Sequence, residues 1–182
     1  VEDLVQGVVQ ANLEVSSQEA PLAAAQAIAG LRAVAGESYP DPVRVVTVGA
    51  SQVGQLLASP GEDRWRSQSV EFCGGTHIAQ TGDAVSFALL EERSVSKGVR
   101  RIMAATGAVA QAAHLEGEKM LARLAALEAE ASVAIDEKAV LELGQSIDSC
   151  DMSAPLKAEC RDRAGELRKQ MKKQQKKQKK AA

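Results

Sequence analysis

The chain has 182 residues, 45% of them hydrophobic and only 2% aromatic, with a formal net charge of −2. That length and apolar content suit one domain plus an appendage, or two small units, around a core built from Ala, Val, Leu and Ile. Trp65, Tyr39, Phe72 and Phe87 are the whole aromatic set, which excludes the base-stacking platforms of single-strand nucleic-acid binders.

Three cysteines, at 73, 150 and 160, form no dense, evenly counted framework, so the composition argues for a reducing compartment. No apolar run approaches a membrane span, and no signal peptide opens the chain. Val1 already lies inside a helical pattern, so the expectation is a piece of a longer polypeptide. Charge is distributed unevenly. Residues 161–182 hold ten Lys or Arg against Asp162 and Glu166, a local balance of +8 that leaves −10 on residues 1–160. The basic end is a separate electrostatic object.

In chain order, Val1, Leu4, Val5, Val8 and Val9 follow a helical period, and Leu13 and Val15 then alternate as a short strand would. Pro21 suits the first turn of a second helix, predicted to run through "PLAAAQAIAGLRAVAG" to a close at Gly36. The prolines of "YPDP" precede a β-branched run, Val43–Val48, that predicts a buried strand. "GQLLASPGED" reads as a short helical turn broken at Pro60-Gly61. Strands are predicted at Val70–Cys73, Val85–Leu90 and Val99–Ala104, punctuated by Gly74-Gly75 and Gly82-Asp83. Residues 1–106 therefore predict an α+β unit with a small mixed or antiparallel sheet.

From Thr106 the period changes. Ala113, Gly117, Met120, Leu124, Leu127, Ala131 and Ala134 alternate spacings of four and three, which marks a helix with one narrow apolar seam. A second helical segment, residues 136–149, carries Val140, Leu143 and Ile147 on one side. Pro155 opens a third, with Leu156, Cys160, Ala164, Leu167 and Met171 on a shared face. An antiparallel helical hairpin over residues 107–182 is the simplest burial for these seams, with the domain boundary near residue 106. His114 is expected on the wet side of its helix.

The chemistry concentrates in "SVEFCGGTHIAQTGD", residues 69–83, which holds one of the three cysteines and one of the two histidines. A thiolate and an imidazole separated by Gly-Gly-Thr suit a borderline-soft ion such as zinc, because a strand can deliver the sulfur while the glycine turn brings the histidine round. Zinc needs three or four protein ligands, and His114, Cys150 and Cys160 lie far along the chain. A buried incidental cysteine and a Cys-His nucleophilic pair are the other readings of the spacing. Arg100 and Arg101 adjoin on a predicted strand, so their side chains point to opposite faces. Such a pair is commonly a solvated edge, Asp83 after Gly82 is commonly a turn residue, and Thr76 reads equally as a loop cap.

"SVEFCGGTHIAQTGD" and "KGVRRIMAATG" (97–107) resemble the second half of the editing domain of the alanyl-tRNA synthetase family, and "GLRAVAGESYPDPVRVVTVG" (30–49) resembles the stretch before it. The resemblance covers about Val1–Gly107 and extends into the following helices. It implies a fragment: the later part of a zinc-dependent tRNA-editing domain over residues 1–106, then a helical segment that contacts tRNA. By this resemblance Cys73 and His77 are two zinc ligands, and a His-x3-His pair absent from this sequence supplies the others. It implies Arg100 for the tRNA acceptor end, Arg101 and Gly98 as further substrate contacts, and Thr76 and Asp83 as partners that orient His77. ATP and magnesium would belong to an aminoacylation domain that this sequence lacks. The implied partners are tRNA(Ala) and the rest of the synthetase, with no membrane, in the cytoplasm or, for the parent enzyme, the mitochondrion. A free-standing deacylase acting in trans and a metal-free tRNA-binding or assembly module are the alternatives. The lysine-rich end is either a solvated helix terminus or a phosphate contact.

Overall fold

The computed structural model describes residues 1–34, 36–49, 52–130 and 137–181, with side chains as far as residue 176. Six helices and two separate antiparallel sheets make up these described residues, so the class is α+β as the sequence pattern predicts. By packing, residues 4–85 form one unit, and residues 1–3 with those from Ser86 onward form another. The change of period at residue 106 and this packing division fall at different places, because the strands of residues 87–106 pack with the helices that follow them.

The first unit is a three-stranded sheet, β1 (Val15–Ala20), β2 (Val43–Val48) and β3 (Ser69–Phe72), with β2 central and both pairings antiparallel. Alternation along β2 turns Val43 and Val45 into the core, where they meet Val70, Ala20 and the buried Ala25, Ile28, Val53, Leu56 and Trp65. The Trp65 indole N–H donates to the Ser59 carbonyl at 2.7 Å, which satisfies the polar edge of the largest buried side chain. Arg44, Val46 and Val48 occupy the opposite face. Helix α1 (Glu2–Ala11) and α3 (Val53–Ala58) form where the period predicts them.

The second predicted helix is much shorter than expected. α2 spans only Leu22–Gln26. Beyond it the backbone is recruited by its neighbours: Ala29 N–H donates to Pro60, Arg32 N–H to Val70, and Phe72 N–H to Arg32. Gly30 sits at φ 80°, and a Cβ there would lie 2.7 Å from the Arg66 Cα, so the chain turns at a point where only glycine fits. These tertiary hydrogen bonds outcompete the helical period that the alanines suggest. Ala35, inside the same predicted helix, lies outside the described residues.

The second unit joins a hairpin, β4 (Phe87–Ser96) with β5 (Val99–Thr106), to α4 (Gly107–Glu130), α5 (Glu137–Ser149) and α6 (Ala154–Ala181). The seam is realised: Ala113, Gly117, Met120 and Leu124 are buried, and Leu127 is half-buried. Ala131 and Ala134, the last two predicted seam positions, lie outside the described residues. Val140, Leu143 and Ile147 of α5 and Cys160, Ala164, Leu167 and Met171 of α6 are also buried, as their spacing predicts.

The helices form three members of a bundle rather than one hairpin. Ser153 N–H reaches the Ala113 carbonyl, Leu156 packs over Gly117, and Arg163 pairs with Glu128, so α4 and α6 run parallel. Asp148 pairs with Arg161 and Glu137 accepts from Gln175, so α5 runs antiparallel to α6. Gly117 is needed at the crossing, since a Cβ there would lie 2.5 Å from Leu156 Cδ1. Arg163 donates through two nitrogens to the two Glu128 carboxylate oxygens, at 2.7 and 3.1 Å. This fork holds the Glu128 carboxyl below the usual carboxylate range. Its contribution is therefore present at neutral pH and is lost as pH falls through that lowered value.

Glu2 ties residues 1–3 into this unit. Its carboxylate accepts from the Leu89 N–H at 2.6 Å and from the buried Ser153 hydroxyl at 2.9 Å. His114 is half-buried, not on the wet side as the helical period suggests, because its Nε2 lies 2.9 Å from the Phe87 carbonyl.

Gly30→Ala is expected to lower stability by about 1–3 kcal/mol through the forced shift at Arg66, read as a lower melting temperature. Leu124→Ala, which empties a fully buried site in the bundle, is expected to cost about 2–5 kcal/mol in urea unfolding. Losses below ~0.5 kcal/mol in either would contradict the packing described.

Candidate functional site

The Cys73–His77 segment is an exposed arc with both ends pinned. β3 delivers the chain to Cys73, whose N–H donates to the Arg44 carbonyl at 3.3 Å. The Arg44 side chain then reaches over the turn: Nη1 donates to the Gly75 carbonyl at 2.6 Å and Nη2 to the Ser17 hydroxyl at 3.1 Å. One residue of the central strand thus fixes the turn through its backbone and its guanidinium together. Cys73 is half-buried and free, while Gly74, Gly75, Thr76 and His77 are exposed.

The far end is held by the C-terminal end of α1. The Ala79 carbonyl accepts from the Val15 N–H at 2.9 Å. The Thr81 hydroxyl donates to the Val8 carbonyl at 2.7 Å and accepts from the Leu13 N–H at 2.8 Å. Asn12, at φ 48°, accepts from the Gly82 N–H at 3.2 Å and donates to Gln80 at 3.1 Å. Any side chain at Gly82 would overlap the Asn12 carboxamide. Asp83 accepts from the Gln80 N–H at 3.1 Å, closing a short helical turn over Thr81–Ala84. The carboxylate that the resemblance assigns to orienting His77 is thus engaged in a turn cap. Beside Thr81 runs a groove of about 830 Å³ whose walls include Leu4, Val5, Val8, Leu13 and Val48.

A thiolate and an imidazole are the right chemical types for zinc, and two donors fall short of the three or four that such a site requires. Among the described residues no group of three or more His, Cys, Asp or Glu side chains converges to hold a metal ion. Cys150 and Cys160 belong to the other packing unit, where burial pushes both thiols up in pKa.

Gly98, Arg100 and Arg101 also belong to that other unit, on the β4–β5 hairpin. Gly98, at φ 78°, completes the two-residue loop with Lys97, and no atom crowds its Cβ position. Arg100 is ion-paired with Glu92 on its own face of the ladder. Arg101 stands directly across from Arg93, so the adjacent arginines do take opposite faces. Two like charges in register oppose each other, a pairing that costs stability without a counter-ion. Sequence reading did not single out Arg44 or Arg93. The signal for Arg44 is its isolation as the one charged residue in the run Val43–Val48.

Comparison with known proteins bears on these residues directly. Residues 43–103 match the family model described as the threonyl and alanyl tRNA synthetase second additional domain, a span running from β2 through most of β5. The chain is 42% identical over 169 residues to the mitochondrial alanine--tRNA ligase of Saccharomyces cerevisiae, covering 93% of this chain and 17% of that protein. It is 37% identical over 171 residues to the alanine--tRNA ligase of Schizosaccharomyces pombe, covering 94% and 18%. With the cytoplasmic alanine--tRNA ligase of Dictyostelium discoideum it shares 46% identity over 113 residues, covering 62% and 12%. The chain thus spans less than a fifth of the length of these relatives. No solved structure matches it. Among the described residues no helix is long and apolar enough to cross a membrane.

Arg44→Ala is expected to release Gly75 and raise amide exchange across residues 74–77 by roughly tenfold or more, the scale of one lost charge-assisted hydrogen bond. Arg44→Lys should restore only part of the protection, because an ammonium cannot span Gly75 and Ser17 together. Hydrogen exchange with mass spectrometry reads both variants, and unchanged protection in Arg44→Ala would refute the clamp.

Proposed function

Since the chain belongs by sequence with a segment of the alanine--tRNA ligases, carrying their second additional domain, we propose that it forms part of the hydrolytic editing site of such an enzyme. The substrate class is the ester of serine or glycine on tRNA(Ala). A pocket sized for alanine cannot exclude the smaller glycine, and one added hydroxyl on serine gives limited discrimination, so a second site must remove the wrong ester. The observation that carries this reading is the pinned arc, which holds a thiol and an imidazole four residues apart at an exposed edge of the synthetase-family domain.

In this reading Cys73 and His77 are two donors to a zinc ion, and the remaining donors come from another part of the synthetase. Zinc, when bound, supplies Lewis acidity toward the ester carbonyl and a water of lowered pKa. Arg44 sets the Cys73–Gly75 geometry from below, and the Asn12, Thr81 and Asp83 contacts fix where the chain leaves His77. Thr76 lies exposed within the arc, where it would serve the same turn as a polar neighbour of His77. Arg100 is the residue for an acceptor-end phosphate, exchanging the Glu92 carboxylate for the ligand, with Arg101 and the open backbone at Gly98 alongside. Attachment of alanine, with its ATP and magnesium, belongs to the rest of the enzyme. The cytoplasmic and mitochondrial names among the relatives fit either compartment for the parent protein.

Zinc titration tests the donor assignment without recourse to activity. The chain alone is expected to bind zinc weakly, Cys73→Ser and His77→Gln are each expected to abolish that binding, and both variants should keep the melting temperature within a few degrees. A segment bearing the His-x3-His pair, added in trans, should raise the affinity. Zinc binding insensitive to both substitutions, or robust hydrolysis of Ser-tRNA(Ala) by this chain unsupplemented, would overturn the half-site.

A further inference from the structure

The β4–β5 hairpin exposes more apolar surface than its two strands can cover. Residues 91–104 are all exposed, and Val95, Val99, Ile102 and Met103 among them are about half open to solvent. Among the described residues no third strand joins this sheet. A two-stranded ribbon is marginal in water, and an open strand edge presents a row of unpaired N–H and C=O groups. Strands of ten and eight residues make that row a long one.

The two edges differ. β4 is engaged near its base, where the Leu89 N–H donates to Glu2 at 2.6 Å, and it lies against α6 as well. Beyond its pairing with β4, the β5 backbone from Val99 to Thr106 makes no backbone hydrogen bond among the described residues. The vacant edge is therefore that of β5.

Charge narrows what fits there. β5 holds Arg100 and Arg101 and no carboxylate. Glu92 neutralises Arg100 on one face of the ladder. On the other face Arg101 stands in register with Arg93, and among the described residues no ion pair neutralises either. A second copy of the chain is a poor occupant, because β5 against β5 would set these arginines beside arginines. A polyanion such as RNA would meet the guanidinium groups and leave both the apolar side chains and the backbone edge uncovered. An extended peptide answers all three features at once: its main chain pairs with the edge, its alternate side chains cover the apolar residues, and a carboxylate reaches Arg101.

More than four fifths of each ligase compared at 42% and 37% identity lies outside the span this chain matches. We propose that the outer edge of β5 takes up a third strand from another segment of the ligase polypeptide, with a carboxylate beside Arg101 and apolar side chains beside Val99, Ile102 and Met103. This strand addition depends on kinship with the ligases and not on the zinc donors. Arg100 and the Cys73–His77 arc play no part in it.

The test arrays overlapping peptides of about 12 residues, twice a typical strand, covering the mitochondrial alanine--tRNA ligase of Saccharomyces cerevisiae, and probes them with the 182-residue chain. Bound peptides should carry Asp or Glu within a β-branched or alternating apolar run. With such a peptide in solution, hydrogen exchange across residues 99–106 is expected to slow by roughly tenfold, the scale of an added backbone hydrogen bond. An electrostatic contact without strand pairing does not produce that protection. Arg101→Glu should weaken the peptide by roughly tenfold or more, and affinity should recover when the acidic residue of the peptide is replaced by lysine. That variant also relieves the like-charge pair with Arg93, so the hairpin itself is kept. Cys73→Ser should bind as the unmodified chain does, which separates this edge from the editing site. Capture of no ligase peptide, binding that leaves residues 99–106 unprotected, or protection by a tRNA transcript and not by peptide would each overturn the proposal. So would a dimer in sedimentation whose formation protects the same residues.

Discussion

A guanidinium, the one charged group in a strand of valines and a threonine, decides how the Cys73–His77 segment is presented. Arg44 cannot enter the hydrophobic side of the sheet, where Val43 and Val45 are fully buried, so alternation sends it to the opposite face. There its donors meet the Gly75 carbonyl and the Ser17 hydroxyl, and its own carbonyl takes the Cys73 N–H. A glycine-rich turn otherwise carries high conformational entropy, and this one is held at its entry and its midpoint by one residue. The thiol can then stay half-buried while the imidazole four residues later remains open to solvent.

The other end of the arc depends on a different device. Asn12 adopts a left-handed backbone after α1, and Thr81 and Gly82 dock against that helix end through three short hydrogen bonds. Glycine at 82 is a packing requirement here, as it is at Gly30, where the Arg66 backbone approaches. Glycines 74 and 75 are different, since they leave Thr76 as the one residue with a side chain between the sulfur and the imidazole. Diglycine and Gly-Asp thus occupy one short motif for separate physical reasons.

In the second unit the apolar seams account for the helices up to Met171 and for nothing after it. The parallel run of α4 beside α6, with α5 antiparallel to both, buries the seam positions described except Leu127 and Leu156, which are half-buried, and the Glu128–Arg163 fork fixes the α4–α6 edge. Just beyond Met171, Lys172, Lys173 and Lys176 are exposed while Gln174 and Gln175 are half-buried. The hydrogen bond from Gln175 to Glu137 turns that side of α6 toward α5.

The sequence by itself determined the period of each element. It placed β2 to the residue, the seam of α4 from Ala113 to Leu124, the buried faces of α5 and α6, and the punctuation around Cys73, because local sterics and the alternation of apolar residues act over a few positions. It also located the thiol, the imidazole and the two arginines of β5. Only the tertiary structure decided where α2 stops, since Pro60 and Val70 claim its backbone from 31 and 38 residues away in sequence. It likewise put His114 against the Phe87 carbonyl, engaged Asp83 in a turn cap, paired Arg100 with Glu92 and laid Arg44 across the arc. Hydrogen bonds between distant residues leave no periodic trace in a chain, and a polar side chain finds its partner only after the apolar pattern has folded the backbone around it.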